Sequence, residues 1–209
     1  MTVLFPSVRE LSGEAIHQAL DAIAELRITV FREFPYLYDG SPEYERSYLE
    51  GLAKDPSALV VVAESEGKII AAATSLPLAG SADITQNTGA LDLFRNQGLD
   101  PNGFYYFSEI VVLPAFRKFG IAKSFYERRC KFAQEHGLEH LCFAAILPEP
   151  HHQAPATYFS PHPLWRKMGF EPKEALTILY TWPTLQTDGT TREETHSLRF
   201  WVKLNFSST

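Results

Sequence analysis

The chain is poor in cysteine, with two among 209 residues, so no disulfide framework can hold its fold. Cys130 and Cys142 fall on a predicted helix and on the strand after it, and they read as free, buried thiols. Neither stands in a His-Asp pattern that would activate a nucleophile, which turns the reading away from covalent catalysis. Long apolar runs are missing as well. No segment approaches the roughly 20 residues needed to span a bilayer, and the opening MTVLFPSVRELSG lacks the charged start and apolar centre of a signal peptide. The expectation is a cytoplasmic protein without a membrane partner. Positive charge is also short: 19 Lys and Arg against 25 Asp and Glu give a net charge of −6, opposite to the footprint of a general nucleic-acid binder. An acidic surface mildly favours cationic substrates, but ordinary solubility is the better explanation of it. Metal-site spacing is absent too, because His151 and His152 are adjacent and His162 is remote, so no metal is expected. There is no internal repeat and no low-complexity tract. What the chain does have is 45% hydrophobic residues, ample for the core of one domain.

The most informative stretch is 105–133. Ile110, Val111, Val112 and Leu113 form an unbroken apolar run, which predicts a central strand covered on both faces. Pro114 ends it. From Ile121 onward, Ile121, Ala122, Phe125, Phe132 and Ala133 recur on one side of a 3.6-residue period, predicting a long amphipathic helix closed by Gly137. Between strand and helix lies Arg117-Lys118-Phe119-Gly120-Ile121-Ala122. A helix that opens after a glycine presents unpaired backbone N–H groups and can bind an anion. Gly120 would let a phosphate approach the backbone, Ala122 keeps the next turn open, and Arg117, Lys118 and Lys123 stand nearby. As a bare pattern this is weak, since many helices begin after a glycine for packing reasons alone.

Around this centre the order of elements is clear. A short strand leads to Leu11. A helix follows a Ser12 cap through Ile16, Leu20, Ile23, Val30 and Phe34 and is stopped by Pro35. After the Tyr36-Leu37-Tyr38-Asp39-Gly40-Ser41-Pro42 loop, a second helix with Tyr44, Tyr48 and Leu52 runs to Asp55. Residues 59–63 and 68–76 flank a turn and predict a hairpin. Residues 80–103 are polar and turn-rich apart from a helical stretch at 90–95, and read as an insertion over one end of the sheet. Residues 141–147 predict a strand beside the central one. Residues 148–163, rich in proline and histidine, cannot be regular. Residues 175–182 and 196–204 predict a closing hairpin around Asp188-Gly189. The sum is a single α/β domain over 1–209, with a mixed sheet, helices on both faces, and insertions at about 80–103 and 148–163.

The phosphate-binding pattern follows a strand, opens a helix, and is matched downstream by Trp165-Arg166-Lys167-Met168-Gly169-Phe170. In this arrangement the chain resembles the GNAT acetyltransferase superfamily. The resemblance implies a mostly antiparallel central sheet and acetyl-CoA as co-substrate. It places the pyrophosphate on Arg117, Lys118, Phe119, Gly120, Ile121 and Ala122 with Lys123 just after, and the pantetheine arm along Ile110, Val111 and Val112. Two departures stand out. The family tyrosine that protonates the leaving thiolate falls on Trp165, which has no suitable acidic proton, and an asparagine often found after the next strand has no match. Trp165 and Phe170 read as packing residues. Tyr158 is a candidate to replace that acid, and the sequence does not place its hydroxyl.

Several family members carry an acidic residue at the position of Glu109, where it removes the amine proton; the plainer reading is a part-buried glutamate paired with a cation. A strand N–H near Val112 would stabilise the oxyanion. Tyr36 and Tyr38 border the family's acceptor site, and His151, His152 and Tyr158 join them as candidates for acceptor contacts. The expected activity is direct transfer of an acetyl group to a primary amine of a small molecule in a ternary complex. The alternatives are a CoA-binding sensor or interaction module without chemistry, and a protein or peptide N-acetyltransferase. A homodimer is left open.

Overall fold

The computed structural model describes residues 6–86, 88–148 and 153–206. In chain order the elements are β1 (Ser7–Leu11), α1 (Glu14–Phe31), α2 (Pro42–Lys54), β2 (Leu59–Ser65), β3 (Lys68–Pro77), α3 (Ala82–Thr85), α4 (Ala90–Asn96), β4 (Phe104–Val112), α5 (Ile121–Glu135), β5 (His140–Ile146), α6 (His162–Lys167), β6 (Glu171–Leu185) and β7 (Thr191–Lys203). Seven strands form one sheet in the order β1-β2-β3-β4-β5-β7-β6. Only β4 and β5 pair in parallel. A parallel pair needs a crossover, and α5 supplies it.

The sheet is covered on both faces, which is why the centres of β2 (59–63) and β3 (69–73) are written wholly in Leu, Val, Ile and Ala. On one face α1, α2 and α4 bury Ile16, Ile23, Leu49 and Phe94 against Val60, Val62 and Ala72; on the other, α5 packs Ile121 and Phe125 against Val61 and Ala71. The sequence sets several helix ends. Ser41 caps α2, its Oγ accepting the Tyr44 N–H at 3.2 Å, with Pro42 at the first helical position. α1 differs from expectation at both ends. It starts after Gly13, with no side-chain cap from Ser12, and stops at Phe31 rather than running to Pro35. Residues 32–38 instead wind into turns that close on the helix, with the Tyr38 N–H donating to the Phe31 carbonyl at 2.9 Å.

Two further expectations are corrected. Residues 80–103 do not merely lie over the sheet: Ile84, Ala90 and Phe94 are buried, and Phe94 meets Phe104 and Phe200 edge-on at 4.9 and 5.0 Å. Two short amphipathic turns look polar on average while contributing a core aromatic. The closing hairpin is also longer than predicted, because exposed polar ends of β6 and β7 continue to pair beyond their apolar centres.

The feature that positions the site is a fork in the sheet. β4 pairs with β3 over residues 105–112 but with β5 only over 104–106. Beyond Tyr106 the two strands part, and residues 107–112 have no ladder partner on the β5 side. Ile110 is therefore 38% exposed, so the apolar run is not covered on both faces as expected. A bulge marks the same place: Thr74 opposes Glu109 and Ser75 opposes Phe107, leaving Ser108 as the extra residue. It re-aims the strand, so that Phe107 packs with the α5 face while Glu109 reaches Arg27 of α1 and Val111 packs with the α1 face.

Candidate active site

The turn before α5 is held open by two left-handed residues, Lys118 at φ 71° and Gly120 at φ 80°. Gly120 is the N-cap of a 15-residue helix and no side chain caps it, so the first-turn N–H groups point outward without an intrahelical acceptor. A Cβ built on Gly120 would meet nothing within 4 Å. Close packing is therefore not what requires a glycine here; the left-handed backbone is. Around it the cations sit in weak, exposed contacts. Arg117 donates through Nε to the Val112 carbonyl at 3.1 Å and pairs with Glu33 at 2.8 Å. Lys123 pairs loosely with Glu127 at 3.7 Å, and the Lys118 ammonium stands 5.5 Å from the Phe159 ring centre. Exposed pairs of this kind contribute only about 0–1 kcal/mol, so an arriving polyanion can exchange them. Phe119 is exposed, Ile121 is buried against the sheet, and Ala122 is half-buried.

On the other face of β4, Glu109 is nearly buried in an ionic cluster. Its carboxylate pairs with the Arg27 guanidinium, which also binds Glu45, and Oε2 accepts the Tyr48 hydroxyl at 3.0 Å. The Tyr48 ring lies under the same guanidinium at 4.3 Å. Burial alone would lower the Arg27 pKa, but the charges of Glu109, Tyr48 and Glu45 outweigh it and hold the group charged. The plainer reading of Glu109, a part-buried glutamate paired with a cation, thus has its partner in Arg27.

Of the predicted acceptor residues, Tyr36 lies within electrostatic reach of Glu109 and of Tyr158, and Tyr38 faces Glu45. Burial, then Tyr158 and Glu109, push the Tyr36 hydroxyl up to about 12. Tyr38 is pushed up by burial and by Glu45. Tyr158 stands edge-on to Phe34 at 4.8 Å. The 36–40 loop is pinned to β6 by a bridge from Tyr38 to Thr184, by the Asp39 N–H on the Pro183 carbonyl at 2.9 Å, and by the Trp182 indole N–H on the Tyr36 carbonyl at 3.0 Å. Tyr44, one helical turn from Tyr48, shares Asp83 with Tyr180. His151 and His152 lie outside the described residues. His162 packs between Trp165 and Trp201, and Trp165 is wedged among Phe143, His162 and Trp201, as the packing reading expects.

Three buried charged residues escaped the sequence reading: Arg27, Glu45 and Arg129. The signal was present. Arg27 continues the apolar stripe of Ile16, Ala19 and Ile23, and Arg129 continues that of Ile121 and Phe125. A charge on the apolar face of a helix is seldom buried without a task.

Residues 20–170 match the family model described as Acetyltransferase (GNAT) family. The chain belongs to this GNAT family. It is an N-acetyltransferase of that family, using acetyl-CoA, and the open Gly120 turn with the unpaired edge of β4 offers residues that fit such a ligand. A comparison with curated proteins returns no match. Among solved structures, a ribosomal-protein-alanine N-acetyltransferase from Brucella melitensis is 16% identical, covering 95% of this chain and 99% of its own at a TM-score of 0.59. The PaiA N-acetyltransferase of Thermoplasma acidophilum, solved with coenzyme A, is 12% identical over 96% and 99% at 0.53. AAC(6')-Iy, solved with the bisubstrate analogue CoA-S-monomethyl-acetylneamine, is 16% identical over 79% and 90% at 0.52. At these identities the likeness speaks to the fold. No helix among the described residues is long and apolar enough to cross a membrane.

Proposed function

We propose that this GNAT enzyme transfers acetyl from acetyl-CoA directly to the primary amine of a small cationic molecule, with no covalent enzyme intermediate. The observation that carries the acceptor class is the ionic cluster on the α1 side of Glu109. The buried carboxylate of Glu45 and the nearly buried one of Glu109 share one guanidinium, which leaves an excess negative charge beside Tyr48 and within electrostatic reach of Tyr36. An ammonium group is the species such a site favours. The 36–40 loop is pinned to β6 and Tyr158 packs on Phe34, a closed arrangement that suits a small molecule better than an extended peptide needing a free strand edge.

In this reading the first-turn N–H groups at 121–123, with Arg117, Lys118 and Lys123, hold the pyrophosphate. The free edge of Ile110, Val111 and Val112 takes the pantetheine arm and offers an N–H to the thioester oxygen. Glu109, oriented by Arg27 and Tyr48, receives the proton that the ammonium sheds. The amine nitrogen then attacks the thioester carbon. Burial pushes up the thiols of Cys130 and Cys142, which disfavours the thiolate and supports direct transfer.

Thiol release from acetyl-CoA, measured with a panel of small amines against peptides bearing free N-termini or lysines, tests the reading. Turnover on free amines is expected to be about tenfold or more faster. Efficient acetylation of peptides with no activity on free amines would move the acceptor to protein. Binding of acetyl-CoA without turnover on any acceptor would reduce the protein to a CoA-binding module.

A further inference from the structure

Arg129 is a buried cation that forms no ion pair among the described residues. It lies on the buried stripe of α5 at 4% exposure, its guanidinium 4.0 Å from the centre of the Phe107 ring. Nη1 donates to the Glu109 carbonyl and Nε to the Phe125 carbonyl, each at 3.4 Å. Among the described residues no carboxylate forms an ion pair with it. The groups that face it are Tyr105 and Glu109 from β4 and Tyr126 and Cys130 from α5, with the Lys203 ammonium of β7 bonded to the Tyr126 hydroxyl at 3.0 Å. Burial draws its pKa down to about 10, so it remains charged at neutral pH. A buried guanidinium satisfied only by carbonyls is costly, and an apolar side chain would pack the same space without that cost.

Its position gives the charge a use. β4 and β5 part after Tyr106 and Cys142, and Arg129 reaches β4 at Glu109, inside the stretch left without a partner on the β5 side. We propose that Arg129 is the fixed positive charge at the base of this fork that stabilises the departing thiolate of coenzyme A, in a chain whose Trp165 is packed among aromatics and donates no proton. The inference rests on the acetyl-CoA reading of the fork. In the step concerned the C–N bond forms and the C–S bond breaks, with its electron pair passing to sulphur. The proton shed by the amine goes by way of Glu109 to solvent, and the thiolate afterwards takes one from water.

Coenzyme A itself is the probe. Titrating the ultraviolet absorbance of the thiolate in the wild-type complex is expected to give a thiol pKa about one unit or more below that of free coenzyme A. Arg129→Lys, which keeps the charge, retains the shift. Arg129→Met abolishes it and lowers kcat about tenfold or more while KM for acetyl-CoA stays within about twofold. A wild-type complex whose thiol titrates like free coenzyme A overturns the inference, as does a Met variant that keeps both shift and kcat. Failure of coenzyme A to bind the wild-type protein at all would instead overturn the cofactor reading beneath it.

Discussion

Any side chain at Gly120 must adopt φ near +80°, which costs roughly 1–2 kcal/mol, and must project into the open space above the turn. Gly120→Val is therefore expected to weaken acetyl-CoA binding about tenfold or more by calorimetry while the melting temperature falls only a few degrees. Unchanged affinity in a folded variant would remove the turn from the site. Arg117→Ala should act in the same direction and less, because it removes one exposed contact and leaves the backbone N–H groups. For Glu109→Gln, acetyl-CoA affinity should hold, turnover should fall by about a hundredfold, and the alkaline rise of rate should flatten. A Gln variant with ordinary turnover at neutral pH would return Glu109 to a structural role. The placement of Gly120 and Glu109 could be read from sequence because it is local: one begins a helix, the other lies on a recognisable strand. The partners of Glu109 could not be read that way. Arg27 lies 82 positions away in the chain, a separation that follows from the numbering alone, and only the packing of α1 across β4 brings them together.

The elements around the site divide along the same line. Strands and helices whose periodicity is their own were recoverable, as with the β2/β3 hairpin and α5. Properties that depend on a neighbour were not. The exposure of Ile110 follows from the departure of β5, and the burial of Phe94 follows from the presence of Phe104 and Phe200. The 36–40 loop offers an element-scale test. A Cβ at Gly40 would come within 2.3 Å of the Tyr38 ring, so Gly40→Ala must displace a ring whose hydroxyl faces Glu45. Such overpacking costs about 1–3 kcal/mol. The expected kinetic result is a raised KM for the amine with acetyl-CoA affinity unchanged, since in the proposed reading the loop borders the acceptor and not the phosphate turn. A variant in which both affinities fall together would mean that the loop supports the whole fork and not one side of it.

Across the whole molecule, β4 is a wall between two buried arginines with opposite circumstances. Arg27, on the α1 side, is held between two carboxylates; Arg129, on the α5 side, has carbonyls and an aromatic face. Removing a paired cation leaves its anions buried and uncompensated, at a cost of about 3–5 kcal/mol. Removing an unpaired one relieves a desolvation cost already borne by the fold. Arg27→Met should therefore lower the melting temperature by roughly 10 °C, given about 2–4 °C per kcal/mol for a chain of this size, whereas Arg129→Met should melt at or above the wild-type temperature. Paired thermal melts followed by near-ultraviolet circular dichroism measure the difference. Equal losses in the two variants would show that Arg129 is compensated within the fold. If Arg129→Met gains stability, the native arginine is kept against the interest of the fold, the pattern expected where a protein gives up stability for a charge its chemistry needs.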